Sequence, residues 1–141
     1  MDIEADIVVA GAPARGPLLK LRAPISFWGG VDPATGRIVD ARHPDFGASV
    51  AGTFLALPAT IGSSSSSSIL LELISRGLAP AAMILVDIDA ILLIALSVSA
   101  EMDWPAPPAL TMKSRNFALL PQGIYCLGKT GRLKLELSGH G

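Results

Sequence analysis

Gly52-Thr53-Phe54-Leu55-Ala56-Leu57-Pro58, then Gly62 with the serine run Ser63 to Ser68, then Ile69-Leu70-Leu71-Glu72-Leu73-Ile74-Ser75-Arg76-Gly77, then Ala81-Ala82-Met83-Ile84-Leu85-Val86, form the stretch that decides the fold. The first segment is a short apolar run closed by proline, which reads as a strand. Leu70, Leu73 and Ile74 recur at helical spacing, so a helix is expected from about Ser65 to Arg76, with Gly77 as its C-terminal stop. Ala81 to Val86 shows little polar alternation, as in a strand covered on both faces. Strand, loop, helix and strand in this order make an α/β unit built on parallel strands.

Outward from this unit the chain reads as β structure at both ends. Ile7 to Ala10 and Leu18 to Leu21 are apolar runs bounded by Gly11, Pro13, Gly16, Pro17 and Pro24, which predicts two strands with a turn between them. Phe27 to Gly36 holds glycines, a proline and two aromatics in close succession, too punctuated for a helix and too apolar for a tail, so an ordered loop is expected. Within it, Asp32-Pro33-Ala34-Thr35-Gly36 has turn chemistry, Asp32 bonding back to nearby backbone. Asp89 is expected to cap a second helix running to about Glu101. Strands follow near Ala109 to Met112, Gly123 to Leu127 and Leu133 to Leu137, the last with Leu133, Leu135 and Leu137 on one face and Lys134 and Glu136 on the other. The expectation is one mixed α/β domain over residues 1–141, with an open α/β centre.

Composition narrows the class of function. Half of the residues are hydrophobic and only 16% are charged, more apolar than an ordinary domain of this size needs for its own core, which points to a covered surface. A formal net charge of −1, scattered charges and few aromatics argue against a nucleic-acid partner. Cys126 is the sole cysteine, and His43 and His140 are far apart in sequence, so no intrachain disulfide and no recognisable metal spacing is present. The acidic start Met1-Asp2-Ile3-Glu4-Ala5-Asp6 does not read as a secretory signal, and the cytoplasm is the expected location. The most membrane-like window, Ala79 to Ala100, carries Asp87 and Asp89 near its middle. Its uninterrupted part rises only about 16 Å as helix, roughly half a bilayer core, so no membrane span is expected.

The serine run is where chemistry is concentrated. A glycine turn opening into a helix through hydroxyl side chains presents unpaired backbone N–H groups and several oxygens at one point, which is a place to hold an anion. A flexible linker is the competing reading of a serine run, but apolar segments flank this one on both sides. Any single serine can equally be an ordinary N-cap.

The segments Pro24 to Asp40 (with Phe27-Trp28-Gly29-Gly30-Val31-Asp32-Pro33 at their centre), His43-Pro44, Gly62-Ser63-Ser64-Ser65 and Arg76-Gly77-Leu78-Ala79-Pro80-Ala81-Ala82 resemble the small subunit of aconitase X. The resemblance covers roughly residues 5 to 137 and implies a swivelling β/β/α domain. It also implies a dehydratase in which a large subunit holds an iron centre and this chain closes over it. Members act on cis-3-hydroxy-L-proline, giving pyrroline-2-carboxylate, or on mevalonate 5-phosphate. The small-molecule hydroxy acid favoured here is hydroxyproline, with phosphomevalonate the alternative and a noncatalytic association module the reading from a different class. By match to the family motif, Ser63 is the proton acceptor and Gly62, Ser64 and Ser65 form its anion-holding surroundings. The family usually carries a basic residue just before that glycine, whereas this chain has Ile61.

Dehydration next to a carboxylate needs a base for the α-proton, an acid for the departing hydroxyl and donors for the carboxylate. This chain can supply the first and the third. A serine hydroxyl is a weak base in water and needs preorganised N–H donors or a cation beside it. The remaining polar candidates have plainer readings: Asp32 as a turn former, Arg37 as a surface charge, His43 as an exposed loop residue, Cys126 as a small core residue, and Trp28 as an interface or loop anchor.

Overall fold

A computed structural model describes residues 2–58, 64–87, 90–128 and 131–136, with the backbone alone for residues 64–66 and 91. Eight strands are found among them: β1 (Asp2–Ile3), β2 (Asp6–Val9), β3 (Ala14–Lys20), β4 (Phe54–Leu57), β5 (Ala82–Leu85), β6 (Ala109–Thr111), β7 (Ile124–Leu127) and β8 (Leu133–Leu135). The helical elements are α1 (Phe27–Gly30), α2 (Ser64–Ser75), α3 (Ala90–Glu101) and α4 (Ser114–Ala118). The strands line up as β1-β8-β7-β3-β4-β5-β6-β2, with β4, β5 and β6 parallel to β3's C-terminal part. The expected parallel α/β centre is thus present. α2 crosses from β4 to β5 and α3 from β5 to β6, each joining hydrogen-bonded parallel neighbours.

The pleat explains why β4 and β5 read as continuous apolar runs. Leu55, Leu57, Met83 and Leu85 face the layer of α1, α2 and α3. Phe54, Ala56, Ala82 and Ile84 face the opposite layer, which contains Phe117 of α4, Tyr125 and Leu127 of β7, and Leu133 and Leu135 of β8. All eight of these β4 and β5 residues are buried, so no polar alternation is possible. β8 alternates as expected over Leu133–Leu135, Leu133 and Leu135 inward and Lys134 exposed, while Leu137 lies outside the described residues.

β3 departs from the sequence reading, which ended this region's strands at Gly16 and Pro17. Both residues lie inside a seven-residue strand. Ala14 to Pro17 pair antiparallel with β7, and Leu18 to Lys20 pair parallel with β4, so β3 passes between two sets of partners. A Cβ on Gly16 would stand 2.2 Å from the Gly52 carbonyl oxygen. Close approach of backbone, not turn formation, is therefore what requires this glycine. β2 and β3, adjacent in sequence, do not pair with each other; β2 forms the far edge against β6.

α2 ends as its sequence indicated. Gly77 adopts φ +73°, its N–H donates to the Ile74 carbonyl, and the Leu78 N–H donates to the Leu73 carbonyl. This pair of bonds satisfies carbonyls that the last turn leaves open, and only glycine takes that φ without steric cost. Leu70, Leu73 and Ile74 are buried against the sheet. α4 was not anticipated, because five residues contain too little periodicity to register; Phe117 is its buried anchor. The expected cap at Asp89 lies outside the described residues.

Candidate functional site

The segment from Phe27 to Gly47 is an ordered, closely bonded excursion between β3 and β4. The Phe27 carbonyl accepts from the Val31 N–H, but Trp28 and Gly29 leave helical geometry, so α1 is a single distorted turn, in keeping with the expected loop. Asp32 builds the turn expected of it: its carboxylate accepts from the Ala34 N–H at 2.9 Å and from the Thr35 hydroxyl at 3.2 Å, and its carbonyl accepts from the Gly36 N–H at 2.8 Å. Val31 and Ile38 then bridge, the Val39 N–H donates to the Gly30 carbonyl, and the Arg37 guanidinium donates to the Gly47 carbonyl at 2.8 Å. Asp32 and Arg37 are accordingly bound up in the loop's own geometry.

His43 corrects the sequence reading of an exposed loop histidine. Only 7% of it is accessible. Nδ1 accepts from the Asp45 N–H at 3.0 Å, which leaves the ring proton on Nε2 to be donated to the Ala23 carbonyl at 3.1 Å. The Asp45 carboxylate accepts in turn from the Arg22 backbone N–H at 2.8 Å and from its Nε at 3.0 Å, and the Arg22 guanidinium also donates to the Pro44 carbonyl. Residues 43–45 are thereby tied to the exit of β3, and both nitrogens of the imidazole are engaged. Burial followed from this tie, which links residues 20 or more positions apart and leaves no local pattern.

Cys126 also differs from expectation. It is half-buried, with Arg15 and Lys134 as its register partners, on the less covered face of β7; Tyr125 and Leu127 take the core face. Among the described residues no group of three or more His, Cys, Asp or Glu side chains is placed to hold a metal ion. The side chains described here therefore do not fit an iron centre.

Of the predicted site residues, Gly62 and Ser63 lie outside the described residues, as does Ile61. Ser64 and Ser65 are the first two residues of α2. The helix thus opens within the serine run, and its first-turn N–H groups, which have no partner inside the helix, belong to that run. The loop and α2 pack together around a cavity of about 420 Å³ lined by Trp28, Gly29, Val31, Asp32, Pro33, Val39 and Ile69. The Trp28 loop therefore meets α2 at Ile69, the residue after the serine run. Val39 and Ile69 were not singled out beforehand; the available signal was the pairing of each loop apolar residue with a neighbour, since Ile38 is buried and Val39 exposed. A larger groove of about 680 Å³ runs beside β3 and α4, but its cations are already engaged, Lys20 with the Ala118 carbonyl and Arg22 with Asp45.

The same fold is found in known proteins. Thermococcus kodakaraensis aconitase X in its holo form superposes with a TM-score of 0.82 at 27% identity, covering 97% of this chain and 99% of that one. A solution structure of a UPF0107 protein superposes with a TM-score of 0.79 at 25% identity, covering 97% and 100%. In sequence, cis-3-hydroxy-L-proline dehydratase of Pseudomonas aeruginosa is 45% identical over 92% of this chain, which corresponds to 22% of that protein. The phosphomevalonate dehydratase small subunit of Methanothermobacter thermautotrophicus is 37% identical over 65% of this chain and 70% of its own length. The chain spans about a fifth of the Pseudomonas dehydratase and of the 36% identical Hypocrea jecorina one. With the aconitase X swivel domain model matching residues 2–131, the mixed sheet and its helical layer point to the same family as the sequence: this chain belongs to the aconitase X swivel domains.

Proposed function

We propose that this chain is the small, swivelling part of an aconitase X type dehydratase that removes water from cis-3-hydroxy-L-proline, working with a large subunit that carries the iron centre and the rest of the active site. The observation that carries the reading is that α2 begins at Ser64, directly after the residue matched to the family's proton acceptor. First-turn N–H groups stabilise negative charge. In this reading Ser63 takes the α-proton of the substrate, and Gly62, Ser64 and Ser65 form the surroundings that hold the substrate carboxylate. The amino end of α2 stands in for the basic residue replaced by Ile61, lowering the cost of charge on the Ser63 oxygen.

Hydroxyproline is preferred over mevalonate 5-phosphate because similarity to the Pseudomonas hydroxyproline enzyme runs along 92% of the chain, whereas similarity to the archaeal phosphomevalonate subunits, including the 49% identical one of Methanothrix thermoacetophila over 54%, is confined to shorter stretches. Replacement of Ser63 by alanine in the reconstituted complex is expected to lower kcat by at least a hundredfold while the complex still assembles. Near-normal turnover would remove Ser63 from the chemistry.

A further inference from the structure

β3 changes partners midway, and the change leaves part of its edge open. Leu18 to Lys20 pair with β4, and the Leu21 N–H donates to the Ala56 carbonyl at 2.9 Å. Leu19 and Leu21 therefore direct their N–H groups to β4, and Leu18, Lys20 and Arg22 direct theirs to the opposite side. On that side the pairing with β7 ends at Pro17 and Ile124. The Leu18 N–H still reaches the Gly123 carbonyl at 2.9 Å, but with Gly123 at φ +151° the return bond from its N–H to the Leu18 carbonyl is not made. The Arg22 N–H is taken by the Asp45 carboxylate at 2.8 Å. Between these two anchors the N–H and carbonyl of Lys20 meet no partner among the described residues. The groove of about 680 Å³ beside α4 is this gap: it is lined by every residue from Leu18 to Arg22, whereas a groove over one face of a strand meets alternate ones.

We infer that the gap is a docking site for an extended segment of a partner protein in which an acidic residue stands between two apolar ones. The open N–H and carbonyl of Lys20 are what a neighbouring strand satisfies, one incoming residue exchanging both bonds with Lys20. Side chains directly opposite in a sheet share a face, so that residue lies with Lys20 on the side of α4. There the Lys20 ammonium stands 5.6 Å from the centre of the Phe117 ring and donates to the Ala118 carbonyl at 2.8 Å, which leaves two N–H groups for a carboxylate. The lining holds two cations, Lys20 and Arg22, against one carboxylate, Asp45, and Asp45 is already bound to Arg22. An acidic side chain is the complement of the positive charge left over. The residues on either side of the acid point to the other face, where Leu19 and Leu21 pack into the helical layer, and apolar side chains suit that surrounding. A lysine on an open edge turns away strands that cannot answer its charge, so Lys20 makes the site selective. The inference is independent of the reaction proposed above.

The test is NMR titration of the isotope-labelled full chain with acetyl-Thr-Val-Glu-Val-Thr-amide. The Lys20 amide is expected to shift saturably with Kd below about 1 mM, and its hydrogen exchange to slow at least about tenfold in the bound state. Methylating the glutamate nitrogen of the peptide removes its bond to the Lys20 carbonyl without touching the protein, and is expected to weaken binding at least about tenfold. Exchanging that glutamate for lysine is expected to weaken it as much. Lys20→Met keeps an apolar stem over Phe117 and removes the charge; it is expected to bind the glutamate and glutamine forms of the peptide equally. No saturable shift at Lys20 overturns the inference. So does undiminished binding of the methylated peptide, which would place it off the strand edge, or of the lysine peptide, which would remove the charge selection. A concentration-dependent dimer of the chain alone that protects the Lys20 amide also overturns it, since the occupant is then a second copy.

Discussion

Gly16→Ala is expected to destabilise the fold by about 3 kcal/mol, because the new methyl group would enter the point where β3 passes between its two sets of partners. The added Cβ would lie 2.2 Å from the Gly52 carbonyl oxygen, and real Cβ contacts essentially never fall below 3.0 Å. Relief requires one backbone to move by roughly 1 Å. Neither is free to do so. Gly16 is in register with Tyr125 of β7, and Gly52, at φ +69°, donates to the Ala79 carbonyl just before β4 begins. A shift at either end shears the β3–β4 ladder or the β3–β7 ladder, and the cost sits at the upper end of the range for overpacking a tight interior. For a domain of this length that corresponds to a fall in Tm of about 10 °C. Thermal and urea denaturation measure it, with Gly128→Ala as the control, since nothing stands within 4 Å of a Cβ built there. A loss of less than about 2 °C for Gly16→Ala, or an equal loss for the control, would refute the reasoning.

Two further predictions concern groups away from the candidate site. Tyr125 is fully buried and donates to the Pro121 carbonyl at 2.7 Å, so Tyr125→Phe should cost about 1–2 kcal/mol near neutral pH, read from the urea midpoint. Burial also raises the Tyr125 pKa above 10.0; the stability tied to its protonated form is complete below about pH 10 and lost as pH rises through the folded-state value, and Tyr125→Phe should remove that part of the alkaline loss. The exposed Glu136 carboxylate accepts from Arg15 at 2.7 and 2.9 Å, and this bond lowers its pKa below 4.5. The associated stability is present above about pH 4.5 and disappears as pH falls through the lower folded-state value, so Arg15→Gln should flatten the acid limb of stability between about pH 5 and 3, less visibly in high salt. An acid limb as steep as that of the wild type would count against the pairing.

Much of the architecture was legible because it is governed by local chemistry. The buried parallel strands betray themselves by runs in which both pleat faces are apolar, as in Phe54 to Leu57 and Ala82 to Leu85. The helix between them is closed by glycine chemistry that acts within a turn. The Asp32 turn is equally local, its bonds reaching no farther than Arg37. The serine run and the aromatic loop could each be recognised as motifs for the same reason.

Only the tertiary structure decided what depends on residues distant in the chain. Gly16 looks like a turn former until Gly52 is brought against it. His43 looks exposed until Ala23 and Asp45 engage both ring nitrogens, and Cys126 looks like core until β7's pairing with β3 and β8 assigns its face. The meeting of Trp28, Val39 and Ile69 around one cavity is of the same kind. Sequence by itself determined the strands and helices whose apolar runs and periods act over a few residues, as in β4, α2 and β5; folding decided which segments touch, and with it the extension of β3 through Gly16 and Pro17, because packing and hydrogen-bond satisfaction act across the whole chain.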